Sequence, residues 1–190
     1  DAIIHELRDP DIAIADFNAQ ISVNQTEITA INKLIQHCQD IDFQTYLNEL
    51  NDYARRIAST TFNKLPDGAY RFNDVMDNDG ISNEPIKIEC LVTIKDDHID
   101  IDFSNTVQQV SGNVNCPLSV TAAAVYYCFR CLMPDYVPDC AGTFDLISIK
   151  AAKGSLLNAN YPAAVAAGNV ETSTRVVDVI LGALAQAIPD

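Results

Sequence analysis

Two stretches near the start of the chain repeat apolar side chains at the spacing of an α-helix. The first stripe steps by three and four residues from Ile14 to Cys38, with one polar position at Asn24, and the second runs from Phe43 to Thr61. The link "QDID" between them is short, and its Asp42 can cap the second helix. We therefore predict that the two helices form an antiparallel helical hairpin.

The next part of the chain alternates apolar and polar side chains, as a half-buried strand does. After the turn "LPDG", Tyr70 and Phe72 begin this pattern, and the segment from Ile86 to Ile94 follows it more strictly. The turn "KDDH" then returns the chain through the segment from Ile99 to Phe103. We expect an antiparallel sheet with one solvent-exposed face. The later segment "FDLISIK" should add a further strand to this sheet.

Two further segments are apolar enough to form buried helices. The stretch "LSVTAAAVYYCFRCLM" predicts a helix that ends at Pro134, and the stretch from about Glu171 to Ile188 is apolar on nearly all sides. Together the elements predict an α+β fold. It has a helical hairpin over residues 1–65 and an α+β core over residues 66–190, with buried helices packed on one face of an antiparallel sheet.

Composition narrows the function classes. The chain has 26 acidic and 12 basic residues and a net charge of -14, so a phosphate backbone would be repelled and we expect no nucleic-acid binding. No apolar run reaches the roughly 18 residues that a membrane span needs, so we expect no membrane partner. Six cysteines, mostly in apolar segments, fit a reducing cytoplasm, where we expect the protein to act.

Sequence motifs exclude some kinds of site. The run from Asp77 to Gly80 resembles the start of a calcium loop, but that frame would place Val75 and Ile86 at ligand positions, so we predict a polar turn. The chain has no G-x-x-x-x-G-K-[ST], G-x-G-x-x-G or G-x-S-x-G motif. We therefore place no phosphate loop and no nucleophile elbow in it, and we assign no catalytic residue.

Two other clusters have a structural explanation beside a functional one. His98, Asp100 and Asp102 share one side of a strand and could be metal ligands, but that side is the polar face of the predicted hairpin. Cys128 and Cys131 form C-x-x-C inside a helix, away from the helix N-terminus that would lower a thiol pKa. We favour the structural explanation for both, and we predict no metal site in this chain.

The polar head of the last helix, "GNVETSTR", has two interpretations. Asn169 can cap the helix, and Glu171 with Arg175 can form an i,i+4 pair, which explains these residue types without a ligand. The free amides of a helix start would also bind an anion or a substrate carbonyl oxygen. Because the cap and the ion pair suffice to explain these residue types, we favour the helix cap. Ligand binding at the helix start stays open.

Several segments together resemble the hydantoinase B/5-oxoprolinase family, in the family's order and spacing. The matching stretches are "LRDP" with "ADFNAQ", "LPDGAYRFNDVMDNDG", "IDIDFSNTVQQVSGNVN" and "KGSLLNANYPAAVAAGNVETSTRVVDVILGALAQA". The chain departs from the family at Asn105, where Gly is usual, and over Asp139 to Gly142, where Asn-x-Gly is usual. Family members are much longer, so the resemblance implies an interior segment that is inactive when isolated.

The resemblance also implies a two-component reaction. A hydantoinase A-type ATPase subunit or domain would bind ATP, and a divalent metal would be held by segments upstream of the part matched here, so this chain itself would carry no cofactor. The substrate would be a small cyclic amide, which ATP activates and water opens. The resemblance further implies an oligomer of the non-nucleotide subunit with its partner.

The matched polar positions give the candidate site. Asn113 and Asn115 lie on a glycine-containing loop and could orient a cyclic imide, because an amide offers both a donor and an acceptor. With the polar head of the last helix they complete the predicted substrate-binding set: Asn113, Asn115, Asn169, Glu171 and Arg175.

Two alternatives to ring opening remain. The first is an acetone carboxylase-type subunit, because a relative with the same scaffold carboxylates acetone. The second is a non-catalytic assembly module that docks through the helical hairpin. Two observations together would favour the assembly module: candidate site residues that lie far from any cleft, and an exposed apolar stripe on the helical hairpin.

Overall fold

The computed structural model describes Ile4, residues 7–38 and residues 42–188. In this part of the chain four α-helices accompany a four-stranded sheet, which confirms the predicted α+β class. The elements are α1 (Pro10–His37), α2 (Phe43–Phe62), β1 (Gly68–Met76), β2 (Ile86–Lys95), β3 (His98–Asp102), α3 (Leu118–Arg130), β4 (Ile147–Lys150) and α4 (Ser173–Ala187).

The chain divides into two compact units, Asp1–Glu49 and Leu50–Asp190. The first unit consists mainly of α1, which begins at Pro10, where the fixed φ of proline suits the first helical turn. The second unit contains the sheet, α3, α4 and most of α2. Both N-terminal helices are therefore present, and the domain boundary at residue 65 stays a prediction.

The sheet has the strand order β1-β2-β3-β4. The predicted β2–β3 hairpin is confirmed, with Val92 opposite Ile101, and β1 pairs antiparallel with β2. The expectation of a wholly antiparallel sheet is wrong, because β4 lies parallel to β3 with Ile99 opposite Ile147. A parallel neighbour needs a crossover connection, and the long segment with α3 between these strands supplies it.

One face of the sheet forms the core. Alternate side chains of β2 point into it, and α4 packs on β1 and β2 with α3 beside it. Gly182 allows this close packing, because a Cβ there would come within 2.6 Å of the Phe72 ring. The inward side chains of β2 are Ile86, Ile88, Cys90, Val92 and Ile94, each at most 3% exposed.

The opposite face of the sheet holds one buried carboxylate, Glu89. Its oxygens accept hydrogen bonds from Lys87 at 2.5 Å, from Asn105 at 2.8 Å and from Arg71. These donors, with Lys87 first, lower the pKa of Glu89 from 4.5 to about 2. Asn105, one of the departures from the family pattern, thus has a structural partner in this chain.

We predict that Glu89→Gln lowers the free energy of unfolding at pH 7 by about 1–3 kcal/mol, since charged hydrogen bonds are lost. Because the folded pKa is depressed, this contribution is complete above about pH 4.5 and disappears as the pH falls toward about 2. Urea unfolding from pH 7 to pH 2 should therefore show wild type and variant converging in acid. Glu84→Gln, which removes an exposed carboxylate, is the control, and a constant difference between Glu89→Gln and wild type at all pH values would contradict the prediction.

Candidate functional site

A cleft of about 420 Å³ opens in the second unit, beside the end of β1. Its walls come from three places in the chain: the end of β1 with the polar turn after it, the loop before α3, and the turn that leads into α4. The cleft is therefore assembled by tertiary contacts and not by a single motif. Its polar lining residues are Asp77, Asn78, Asp79, Asn113, Glu171 and Arg175.

The turn after β1 is held by the carboxylate of Asp79. This buried side chain accepts hydrogen bonds from the backbone N–H groups of Ser82 at 2.6 Å, Ile81 at 2.9 Å and Gly112 at 2.9 Å. These backbone donors lower the pKa of Asp79. The predicted polar turn is thus confirmed, and the Asp79 oxygens are engaged by the protein itself.

The wall that leads into α4 begins with a π-helical turn, Gly168–Thr172, directly before that helix. Its backbone lies against the loop before α3, and a Cβ at Gly168 would come within 1.9 Å of the carbonyl oxygen of Asn115. The hydroxyl of Thr172 donates to the carbonyl oxygen of Val114, and the Cys116 thiol donates to the Gly168 carbonyl oxygen at 3.1 Å. This turn therefore brings Glu171 to the same cleft as Asn113.

Asn115 joins the loop before α3 to the segment at Ala164 through its side-chain amide. The side chain is fully buried, and its Nδ2 donates to the carbonyl oxygens of Val110 at 2.9 Å, Gly112 at 2.9 Å and Ala164 at 3.0 Å. Its Oδ1 accepts the N–H of Val110 at 2.7 Å. The amide therefore binds backbone groups on two segments, whereas Asn113 is exposed and lines the cleft.

The predicted cap at Asn169 is wrong. The side chain makes no capping hydrogen bond, because the helical winding already starts at Gly168 and places Asn169 inside the π-helical turn. Asn169 is exposed and lines a different groove, between α3 and α4, together with Tyr127 and Ser173. The structure thus separates Asn169 from the other four predicted site residues.

The predicted ion pair between Glu171 and Arg175 is also replaced. Arg175 Nη1 donates to Asp74 Oδ2 on β1 at 2.6 Å and lies 3.1 Å from Asp178 Oδ2. The Val75 N–H and then Arg175 lower the pKa of Asp74. The contact with Asp74 replaces the pair with Glu171 because β1 packs against α4. Residue spacing along one helix does not reveal this neighbour. Sequence reasoning missed Asp74 for this reason.

The other polar clusters lie outside the cleft. His98 pairs with Asp97 at 2.7 Å, and Asp102 pairs with Lys150 at 2.9 Å. Over residues 7–38 and 42–188 no three histidine, cysteine, aspartate or glutamate side chains converge as metal ligands, so we assign none. Burial raises the pKa of the Cys128 thiol to about 12, which agrees with a core role for this cysteine.

Similarity to known proteins extends over the whole chain. The family model described as hydantoinase B/oxoprolinase matches residues 1–190. The chain belongs to the hydantoinase B/oxoprolinase family. It is 33% identical to 5-oxoprolinase 1 of Arabidopsis thaliana, covering 90% of this chain and 14% of that protein. It is 31% identical to 5-oxoprolinase of Saccharomyces cerevisiae, covering 88% of this chain and 13% of that protein.

Two solved structures share the fold with this member of the family. The ATP-dependent caprolactamase from Pseudomonas jessenii aligns with a TM-score of 0.83 at 22% identity, over 96% of this chain and 32% of that chain. A nucleotide-free acetone carboxylase aligns with a TM-score of 0.67 at 15% identity, over 83% and 23%. This family member therefore spans a third or less of the two solved chains.

In this family member no helix among the described residues is both long and apolar enough to cross a membrane.

We predict that Asn115→Ala destabilises the fold by about 2–4 kcal/mol, because it leaves buried backbone groups without partners. Asn113→Ala is the matched control, since it removes an exposed amide two positions earlier and should change the free energy of unfolding by less than about 0.5 kcal/mol. Urea unfolding followed by circular dichroism measures both. Equal destabilisation by the two variants would contradict the different placement of the two amides.

Proposed function

We propose that this chain is part of the non-nucleotide subunit of an ATP-dependent cyclic amide hydrolase, of the N-methylhydantoinase or 5-oxoprolinase type. The observation that carries the proposal is the convergence of Asn113, Glu171 and Arg175 on one cleft. All three residues match the family, and Asn113 lies 58 positions before Glu171 in the sequence. Family membership supports the same class of reaction.

The cleft has the groups that a cyclic amide requires. Such a ring presents a carbonyl oxygen and an N–H side by side, and the exposed amide of Asn113 can donate to the first and accept from the second. Glu171 is an exposed carboxylate at the cleft, so it can accept a proton or hydrogen bond from the ring N–H or from water. Arg175 is engaged by two carboxylates, so we assign it a positioning role.

The proposed reaction balances with ATP and water as co-reactants. The ring carbonyl oxygen takes the γ-phosphoryl group of ATP, and ADP leaves. A first water adds to the carbonyl carbon, and the C–N bond then breaks as the ring nitrogen takes a proton, which leaves an acyl phosphate. A second water adds to this carbonyl carbon and phosphate leaves, so the products are ADP, phosphate and the ring-opened acid. This chain would bind and orient the ring, and its exposed carboxylate would hold the transferred proton near the ring nitrogen.

Other parts of the assembly would supply the nucleotide. This chain has no phosphate-loop motif, and it spans only 14% and 13% of the two relatives' lengths. We therefore propose a hydantoinase A-type ATPase subunit or domain as partner, in an oligomer, and a divalent metal bound by segments outside this chain. The six cysteines, all free, fit a cytoplasmic complex.

Two alternatives to ring opening are an acetone carboxylase-type subunit and a non-catalytic assembly module, and assays of the intact complex distinguish them from it. Acetone carboxylase shares the fold, which by itself does not choose the substrate. A pure assembly module is less well supported, because Glu171 and Arg175 line a cleft instead of an open surface.

We predict that Asn113→Ala and Glu171→Gln each lower kcat/KM for the cyclic amide at least about tenfold, since each removes a group that contacts the ring. Steady-state assays of the intact protein with its ATPase partner measure this effect. Asn169→Ala is the matched control, because it removes an exposed amide outside the cleft and should leave kcat/KM unchanged. If the cleft variants are folded and fully active, the cleft is not the substrate site.

We further predict that ATP hydrolysis by the intact complex depends on a hydantoin, a lactam or 5-oxoproline. The reason is that phosphoryl transfer needs the ring oxygen as acceptor. Phosphate release is measured with each compound and, separately, with acetone plus bicarbonate. Release stimulated only by acetone and bicarbonate would favour the carboxylase alternative.

A further inference from the structure

In the described part of the chain, Glu171 and Arg175 line one cleft but are not joined by an ion pair. They stand four positions apart around the start of α4, with the acidic residue first, which is the favourable order for a helical pair. The guanidinium of Arg175 instead contacts Asp74 on β1 and Asp178, three positions further along α4. Glu171 is therefore an exposed carboxylate beside a cation that is engaged elsewhere.

The carboxylate of Asp74 is directed toward Arg175 by its own strand. Its Oδ1 accepts the backbone N–H of Val75 at 2.8 Å, while its Oδ2 accepts from Arg175 Nη1 at 2.6 Å. The Asp74 side chain is 35% exposed, so the ion pair is partly shielded from water. A carboxylate that is already held in place loses little side-chain entropy on pairing, so Asp74 competes well for the guanidinium.

Asp178 gives Arg175 a weaker second contact. Its carboxylate oxygen lies 3.1 Å from the same Nη1 atom, and its side chain is 47% exposed. Arg175 Nε is buried and has no acceptor among the described residues. Within that part of the chain the guanidinium is thus held through one nitrogen, mainly by Asp74. Loss of Asp74 would leave N–H groups of Arg175 available to another acceptor.

Glu171 is the acceptor that the spacing along the chain offers. In the proposed reaction its exposed carboxylate holds the transferred proton. A hydrogen bond from Arg175 would occupy a carboxylate oxygen that has to take this proton. Pairing of the two residues would therefore remove Glu171 from the reaction while both side chains remain in the cleft.

We propose that Asp74 is a positioning residue of this site: by holding Arg175, it keeps the guanidinium away from Glu171, whose carboxylate stays available to the ring. The role of Glu171 rests on the proposed function, whereas the choice of partner by Arg175 does not. An exposed helical ion pair is about two to five times more populated than its separated groups. Asp74→Asn, which keeps the size of the side chain, should therefore occupy most of Glu171.

Steady-state kinetics of the intact protein with its ATPase partner test this role. We expect Asp74→Asn to lower kcat for the cyclic amide about three- to sixfold and to change KM less than about twofold, since Glu171 acts on the proton. Asp74→Asn/Arg175→Gln should then recover kcat at least about twofold, because the competing cation is gone. Asp74→Glu, which keeps the anion, should stay within about twofold of wild type.

Asp178→Asn is the matched control, since it also removes one negative charge and one partner of Arg175. Because Asp74 still holds the guanidinium, kcat should change less than about twofold. Circular dichroism checks that every variant is folded. A merely structural role of Asp74 would leave the double variant no more active than Asp74→Asn. That result, or an equal loss in Asp178→Asn, would overturn the proposal.

A crystal structure of Asp74→Asn tests the exchange of partners without any measurement of activity. We expect a guanidinium nitrogen of Arg175 within about 4 Å of the Glu171 carboxylate. If Arg175 stays away from Glu171 in this variant, the proposal is overturned whatever the kinetics show. If the pair forms but the wild-type complex opens no cyclic amide, the exchange of partners is supported and the proposed function fails.

Discussion

The close contact between the π-helical turn and the loop before α3 is the constraint on which the cleft depends. Gly168 lies so near the carbonyl oxygen of Asn115 that no side chain fits there. Asn115 in turn binds backbone groups at Val110, Gly112 and Ala164 with its buried amide. Since the loop before α3 and the turn into α4, two of the three walls of the cleft, meet at this one point, the positions of Asn113 and Glu171 relative to each other follow from backbone packing.

Electrostatics then distinguishes the polar groups at the cleft. The Asp79 carboxylate is engaged by three backbone N–H groups, and the Arg175 guanidinium lies between Asp74 and Asp178. These side chains have partners in the protein and stabilise its walls. Asn113 and Glu171 are exposed at the cleft, which is why we assign ligand contact to them and a positioning role to Arg175.

The elements whose side chains repeat with a clear period can be predicted from the sequence alone: α1, α2, the β2–β3 hairpin and the buried helices. The resemblance to the family also gives candidate site residues, of which Asn113, Glu171 and Arg175 line one cleft. Three features follow only from the folded chain: β4 runs parallel to β3, Asn169 is not a cap, and Arg175 pairs with Asp74 instead of Glu171. Periodicity reports which side of an element is buried. It does not report which distant segment lies next to that element, so long-range pairs such as Asp74 with Arg175 appear only once the chain is folded.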